Sequence, residues 1–225
     1  MKVIKRVLLL VLIIIVAGAS IVIGQGYQMY IEAVEKVPVE QKAQEIMEID
    51  HYTSYDELPE TYVDAVIAAE DRRFYYHRGF DIISTVRAAW RNLRNKEIVE
   101  GGSTITQQLG RIMYFSQEKK YSRKVAEVLA AGRIEDLYDK EKIFELYVNT
   151  IYFGSGYYSV YDASMGYFGK KPSEMNDYEC TMLAGIPNAP SVYSPDVNPT
   201  LAEERRQQVL ECMAEAGYIQ PGDIE

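Results

Sequence analysis

Between Arg6 and the first acidic residue of the chain, Glu32, lies a run without a single charge, Val7 to Gly24. Its 18 residues are almost all aliphatic. At about 1.5 Å of rise per residue, a helix of that length just crosses a hydrocarbon core roughly 30 Å thick. Lys2, Lys5 and Arg6 precede the run, and Glu32 and Glu35 follow it. That charge order places the N-terminus in the cytoplasm and everything after the run outside. Ala17-Gly18-Ala19 resembles a signal-peptide cleavage site. The apolar run continues past it through Ile21-Val22-Ile23, so a retained anchor is expected over a cleaved leader. Either way the body of the chain is exported. The expected division is a cytoplasmic tip and anchor over 1–25, a polar juxtamembrane stalk over 26–55, and one domain over 56–225.

About 200 residues after the anchor suffice for one domain with a core of its own. Their pattern is nearly all helical. Helices are expected from Leu58-Pro59 through Glu70, over Asp81–Arg94, from Thr104, over Arg123–Leu137, Lys140–Tyr152, Val160–Phe168, Asp177–Ile186 and Leu201–Ala216. In the Asp81–Arg94 helix, Ile82, Val86, Ala89, Trp90 and Leu93 form the side expected to be buried. Pro187 to Pro199 reads as an extended connection. No convincing alternating strand appears, so the fold class is all-α. Cys180 and Cys212 sit in amphipathic helices and are expected as two buried thiols.

The net charge of -9 conceals a segregation. Residues 70 to 133 hold 13 Lys+Arg against 7 Asp+Glu, a net of +6, while the remainder nets -15. A cationic centre in a repelling surface suits an anionic ligand, or anionic lipid beneath a basic helix face.

Four clusters carry candidate chemistry. In the first, Glu70-Asp71-Arg72-Arg73-Phe74-Tyr75-Tyr76-His77-Arg78-Gly79, Glu70 shares a helical stripe with Val63, Val66, Ile67 and Phe74. A carboxylate on an apolar face has to be paired or neutralised, and such environments produce proton-transfer groups. A salt bridge from Glu70 to a neighbouring Arg is the plainer alternative. In the second, Gly101-Gly102-Ser103-Thr104-Ile105-Thr106-Gln107-Gln108-Leu109-Gly110-Arg111, two glycines precede a helix start that suits an anion. Thr104 and Gln107 fit a capping box, which leaves Gln108 and Arg111 unexplained by capping. In the third, Arg123-Lys124-Val125-Ala126-Glu127, a base pair of side chains could grip a phosphate beside a second carboxylate. Ala130, Ala131 and Ile134 leave room above Glu127, to be filled by a helix or a substrate. In the fourth, Tyr147 to Gly154, the polar Asn149 interrupts an apolar helix end and reads as a cap or bridge. His51 and His77 are too few for a metal cluster, and Ser103 has no readable base. No phosphate-loop lysine spacing and no other nucleotide signature is present. Two carboxylates and a cationic strip are the materials of glycosyl transfer or hydrolysis with a phosphorylated leaving group.

In this order, the four clusters resemble the motifs of the peptidoglycan glycosyltransferase family, the polymerising module of class A penicillin-binding proteins and monofunctional transglycosylases. Gly102 to Leu109 is the most specific stretch, and Ala163-Ser164, Tyr167 to Lys170 and Leu183 to Pro187 agree with it. The resemblance covers about residues 56 to 220. It implies a lysozyme-like two-lobed helical domain, one lobe associated with the membrane. It also implies inverting β-1,4 polymerisation of lipid II with release of undecaprenyl pyrophosphate. Glu70 would be the base for the acceptor hydroxyl, and Glu127 would assist on the donor side. Arg111, Arg123 and Lys124 would neutralise the pyrophosphate. Gln107, Gln108, Ser103, Thr104, His77, Asn149 and Tyr152 would stand at the substrate cleft. A divalent cation, Mg or Mn, belongs to what the family implies, although no metal cage is visible in the sequence. Implied partners are lipid II, the growing glycan strand, the cell membrane, transpeptidases and other cell-wall proteins, with no nucleic acid. The implied location is a bacterial cell membrane, crossed once.

The chain departs from the family's pattern at Arg111-Ile112, where Lys-Asn is usual, and at Ser159 and Tyr161, where Gly and an acid are expected. It ends soon after the resemblance does, as a monofunctional enzyme or the N-terminal part of a longer one would. A lysozyme-like hydrolase and a non-catalytic membrane scaffold are the alternative functions.

Overall fold

The computed structural model describes residues 2–95, 101–116 and 120–220. Lys96, Glu97, Glu100, Glu118 and Lys119, counted above in the basic centre, lie outside them. So does the end of the chain from residue 221, which the expected domain included.

The apolar run lies within α1 (Lys2–Lys36), an unbroken helix whose aliphatic side chains, from Ile4 to Val16, are exposed. Among the described residues it is the one helix long and apolar enough to cross a membrane. It does not stop at the end of the apolar run. The same helix continues and lies along α6 (Tyr121–Leu137). Gly26 makes the approach possible, because a Cβ there would stand 2.5 Å from Val125 Cβ and 2.6 Å from the Ser122 carbonyl oxygen. α2 (Val39–Met47) then buries Val39 and Ala43 in the main core. The segment expected as a stalk is therefore largely helical and folded onto the domain.

Pro59 presets the entry to α3 (Glu60–Glu70), which buries Tyr62, Val63, Val66 and Ile67. α9 (Asp177–Gly185) and α11 (Pro199–Ala216) pack on α3. A second group forms where α5 (Ile105–Tyr114) meets α6 and α7 (Lys140–Val148). Gly110 of α5 sits where a Cβ would come within 3.3 Å of Ala130 Cβ. The small side chains of α6 thus admit a neighbouring helix. The loop at Gly79 approaches the same helix, with φ of +76° and a would-be Cβ 2.9 Å from the Ala131 carbonyl carbon. α8 (Val160–Phe168) starts on Ser159, whose hydroxyl accepts the Asp162 N–H, so the residue that replaces the family's glycine is a helix cap. Tyr161, the other departure, stacks on His51 at 4.4 Å between ring centroids.

Four expectations are corrected. First, α4 (Ile82–Asn95) does not bury its apolar side: Ile82 is 66%, Trp90 66% and Leu93 74% exposed, with Val86 and Ala89 also exposed. Periodicity identifies an apolar face but not the medium that covers it. Second, the stripe shared by Glu70 and Phe74 is not one helix. α3 ends at Glu70, and Phe74 reaches the core from a 3-10 turn. Third, α7 ends at Val148, short of Tyr152, where the Asn149 amide turns back onto the Glu145 carbonyl oxygen. Fourth, the proline-rich connection is not extended throughout, because Ile186–Asn188 forms a turn and α10 (Pro190–Tyr193) one helical turn. Both cysteines are free thiols, Cys180 buried and Cys212 partly so.

Candidate active site

Where the two helix groups meet, a cavity of about 290 Å³ is lined by Glu70, Ser103, Thr104, Gln108 and Arg111. The sequence places these side chains by ordinary local means. α3 ends at Glu70 because Asp71 leaves helical geometry, and its carboxylate accepts the Ile105 N–H at 3.0 Å. That bond ties the residue after Glu70 to the N-terminus of α5, where the helix dipole favours an anion. Thr104 caps α5, accepting the Gln107 N–H at 3.1 Å while the Gln107 carbonyl accepts the Thr104 N–H at 3.3 Å. Two turns of helix are thereby aimed, and Gln108 and Arg111 of α5 face the cavity.

Glu70 takes no part in the ion pair that was its plainer reading. Its Oε2 accepts the Gln108 amide N–H at 2.7 Å. Its Oε1 is buried with no hydrogen-bond partner among the described residues. A buried acceptor left in that state costs roughly 1–3 kcal/mol, which a hydroxyl from a bound ligand would remove.

The second carboxylate is 2% exposed and held by cations. Glu127 accepts from Arg123 on one oxygen and from the Lys124 ammonium at 3.1 Å on the other. Lys124 also reaches the Ser103 hydroxyl at 2.6 Å, which joins this cluster to the cavity. Burial depresses the Lys124 pKa, assisted by the like charges of Arg111 and Arg123 and opposed by Glu127. Arg123 and Glu127, four apart on α6, pair inside the fold where solvent screening is weak.

The remaining candidates lie elsewhere. Gln107 is fully buried in the capping box, its amide nitrogen unpaired. His77 donates or accepts at 3.0 Å from both oxygens of Asp71 and braces the loop after Glu70. Asn149 is buried, its amide donating to the Thr53 and Glu145 carbonyl oxygens. Tyr152 stacks on Tyr158 at 4.7 Å between ring centroids. None of these four lines the cavity. Arg72, Arg87 and Arg205 do line it, and the motifs pointed only at the first of them by proximity. Arg87 and Arg205 come from α4 and α11, remote in sequence, with no local signal to mark them.

The described residues hold no all-protein cage for a divalent cation. Among the described residues no three His, Cys, Asp or Glu side chains converge, and Glu127 already carries two cationic partners. No step below is routed through a metal.

A carboxylate with a free oxygen in a cleft lined by four arginines, on an all-α body, suits a transfer reaction with an anionic leaving group. The family model described as transglycosylase matches residues 39–214, and the chain belongs to that family of glycosyltransferases. It is 47% identical over 174 residues to penicillin-binding protein 1A of Aquifex aeolicus. It is 44% identical over 174 residues to a candidate transglycosylase of Cupriavidus necator, and 43% over 166 residues to penicillin-binding protein 1F of Bacillus subtilis. These matches cover 77%, 77% and 74% of this chain. They span 24% of the Aquifex protein, 23% of the Bacillus protein and 75% of the Cupriavidus protein.

Proposed function

We propose that this peptidoglycan glycosyltransferase polymerises lipid II into β-1,4 glycan, with Glu70 as the base. The observation that carries this reading is the state of the Glu70 carboxylate, one oxygen fixed by Gln108 and the other buried without a partner beside a cationic cleft. An acceptor 4-hydroxyl placed against Oε1 gives its proton to Glu70 as its oxygen bonds to the anomeric carbon of the donor. The bond from that carbon to the pyrophosphate breaks on the opposite face, and the electron pair leaves with the phosphate. One displacement inverts the anomeric centre without a covalent intermediate.

Developing charge on the leaving pyrophosphate calls for preorganised cations. Arg111, Arg123 and Lys124 supply them, and Glu127 keeps Arg123 and Lys124 in place. In this reading Glu127 acts through the two bases, and Thr104, Gln107, His77 and Asn149 hold the frame. Arg111 keeps the charge that the family's usual lysine would have, delivered by a planar fork.

The membrane reading follows from α1 and α4. The lipid-linked substrates reside in the bilayer, and α1 enters it from the cytoplasmic side, carrying the domain on the outer face. The exposed apolar side of α4 lies at the lipid boundary as an interfacial helix.

Supplied with lipid II in proteoliposomes, the purified chain should yield long glycan strands with inverted linkages. Release of fragments from finished glycan, with no strand growth, would overturn the polymerase reading in favour of a hydrolase.

A further inference from the structure

The hydrogen bond to Glu70 is only as well defined as the amide that makes it. Gln108 has one face of its amide that donates and one that accepts, and the side chain alone does not fix which of them meets the carboxylate. An ionised Glu70 selects the donating end, and the residue that holds the other end comes from α7. The Tyr147 hydroxyl donates to Gln108 Oε1 at 3.3 Å, and Gln108 Nε2 donates to Glu70 Oε2 at 2.7 Å. From this chain of two bonds we infer that Tyr147 is a positioning residue for the general base, acting through Gln108. The inference rests on the reading of Glu70 as that base.

Three features support it. Tyr147 is fully buried, so its ring has one placement and its hydroxyl one direction. Burial, then the nearby Glu70 charge, raises the Tyr147 pKa well above that of an ordinary tyrosine. The hydroxyl therefore stays protonated, and stays a donor, throughout the working range of pH. The acceptor-only Glu70 carboxylate selects the amide N–H, and the Tyr147 hydroxyl donating to Oε1 holds the amide in that same orientation. At 3.3 Å the Tyr147 contact is longer than an ordinary O–H···O bond, and catalytic hydrogen bonds of this kind tighten when substrate binds.

Other groups also face Glu70. They are Asp71 and Arg72 on its own loop, Arg111 from α5, and Arg87, Arg205 and Cys212 across the cavity. The Gln108 carbonyl oxygen accepts from Tyr147. Removing the hydroxyl leaves that oxygen without its donor, so the amide is less firmly placed and its N–H less polarised. Glu70 then loses part of the bond that favours its ionised form.

The test is the pH profile of lipid II polymerisation by the full chain and its Tyr147→Phe variant. The variant should lose roughly 3- to 10-fold in kcat, the worth of one ordinary hydrogen bond, with KM for lipid II little changed. The acid limb of its profile should move to higher pH. In a Gln108→Leu background the same substitution should have almost no further effect, since its route to Glu70 is already cut. An unshifted acid limb, or losses from the two substitutions that multiply, would overturn the inference. Glu70→Gln in the same series keeps the two readings apart. Activity in that variant would sink the base itself, whereas an inert Glu70→Gln beside an unshifted Tyr147→Phe profile would sink the relay alone. Thermal unfolding of each variant identifies losses that come from folding.

Discussion

At the scale of single residues, the basic side chains around Glu127 are not equivalent. Lys124 is charged only below a pKa that burial has depressed, while Arg123 presents a planar guanidinium fork in place of an ammonium. Donor use should therefore fall on the alkaline side as pH rises through the lowered Lys124 value. Lys124→Arg should remove that fall from the normalised rate profile, and a fall that persists in the variant would clear Lys124 of it. Arg123→Ala should weaken donor use more than acceptor use, measured by competing a donor-only and an acceptor-only analogue. Equal losses on both sides would remove the assignment to the pyrophosphate. Much at this scale was legible in the sequence. Glu70 stood out as a carboxylate on an apolar stripe, and the Arg-Lys pair beside Glu127 as a cationic grip. What could not be read was which partner Glu70 takes. The answer comes from Gln108 on α5 and Tyr147 on α7, residues brought together by packing rather than by spacing along one helix.

At the scale of elements, the helices were readable wherever caps and periodicity agreed. Thr104 with Gln107 marked the start of α5, and Val160–Phe168 was read to the residue as α8. The helical period of α4 is legible in the sequence, but the exposure of its apolar side is not, because the same periodicity serves a buried face and an exposed one. Trp90 is the sole tryptophan of the chain and lies on that exposed face, 66% accessible. In proteoliposomes its fluorescence should shift to the blue and be quenched by lipids brominated in the acyl chain. Emission typical of water, unaffected by those lipids, would place α4 away from the bilayer. Asp81 holds the start of α4, where burial of its carboxyl is outweighed by bonds from Ser84 and the Ile83 N–H and by Arg73, so its pKa is lowered.

At the scale of the whole molecule, the anchor and the site are parts of one helical assembly. α1 leaves the apolar run and packs against α6, the helix that carries Arg123, Lys124 and Glu127. The position of that cluster relative to α1 is set by a helix–helix seam at Gly26 rather than by a loose tether. Gly26→Leu should push α1 off α6 and lower stability by about 1–3 kcal/mol, as overpacking does. A reduced unfolding midpoint of the detergent-solubilised chain checks this, and an unchanged midpoint would mean that the seam is not formed in solution. The sequence showed the anchor but not the seam, since one glycine in a helix carries no mark of the neighbour it admits. The charge segregation has its counterpart here. Of the basic segment, Arg72, Arg87 and Arg111 line the cavity and Arg123 and Lys124 hold Glu127, while Arg78, Arg91, Arg94 and Lys120 are exposed.

One measurement bears most directly on Glu70 as the base that starts glycan polymerisation. Glu70→Gln keeps the shape of the side chain and removes its capacity to take a proton. With lipid II at saturation in proteoliposomes, the variant should fold as the parent does and bind lipid II. It should polymerise at least about 100-fold more slowly, the lower end of what a general base supplies. Strand synthesis by Glu70→Gln at a rate near that of the unaltered chain would contradict this.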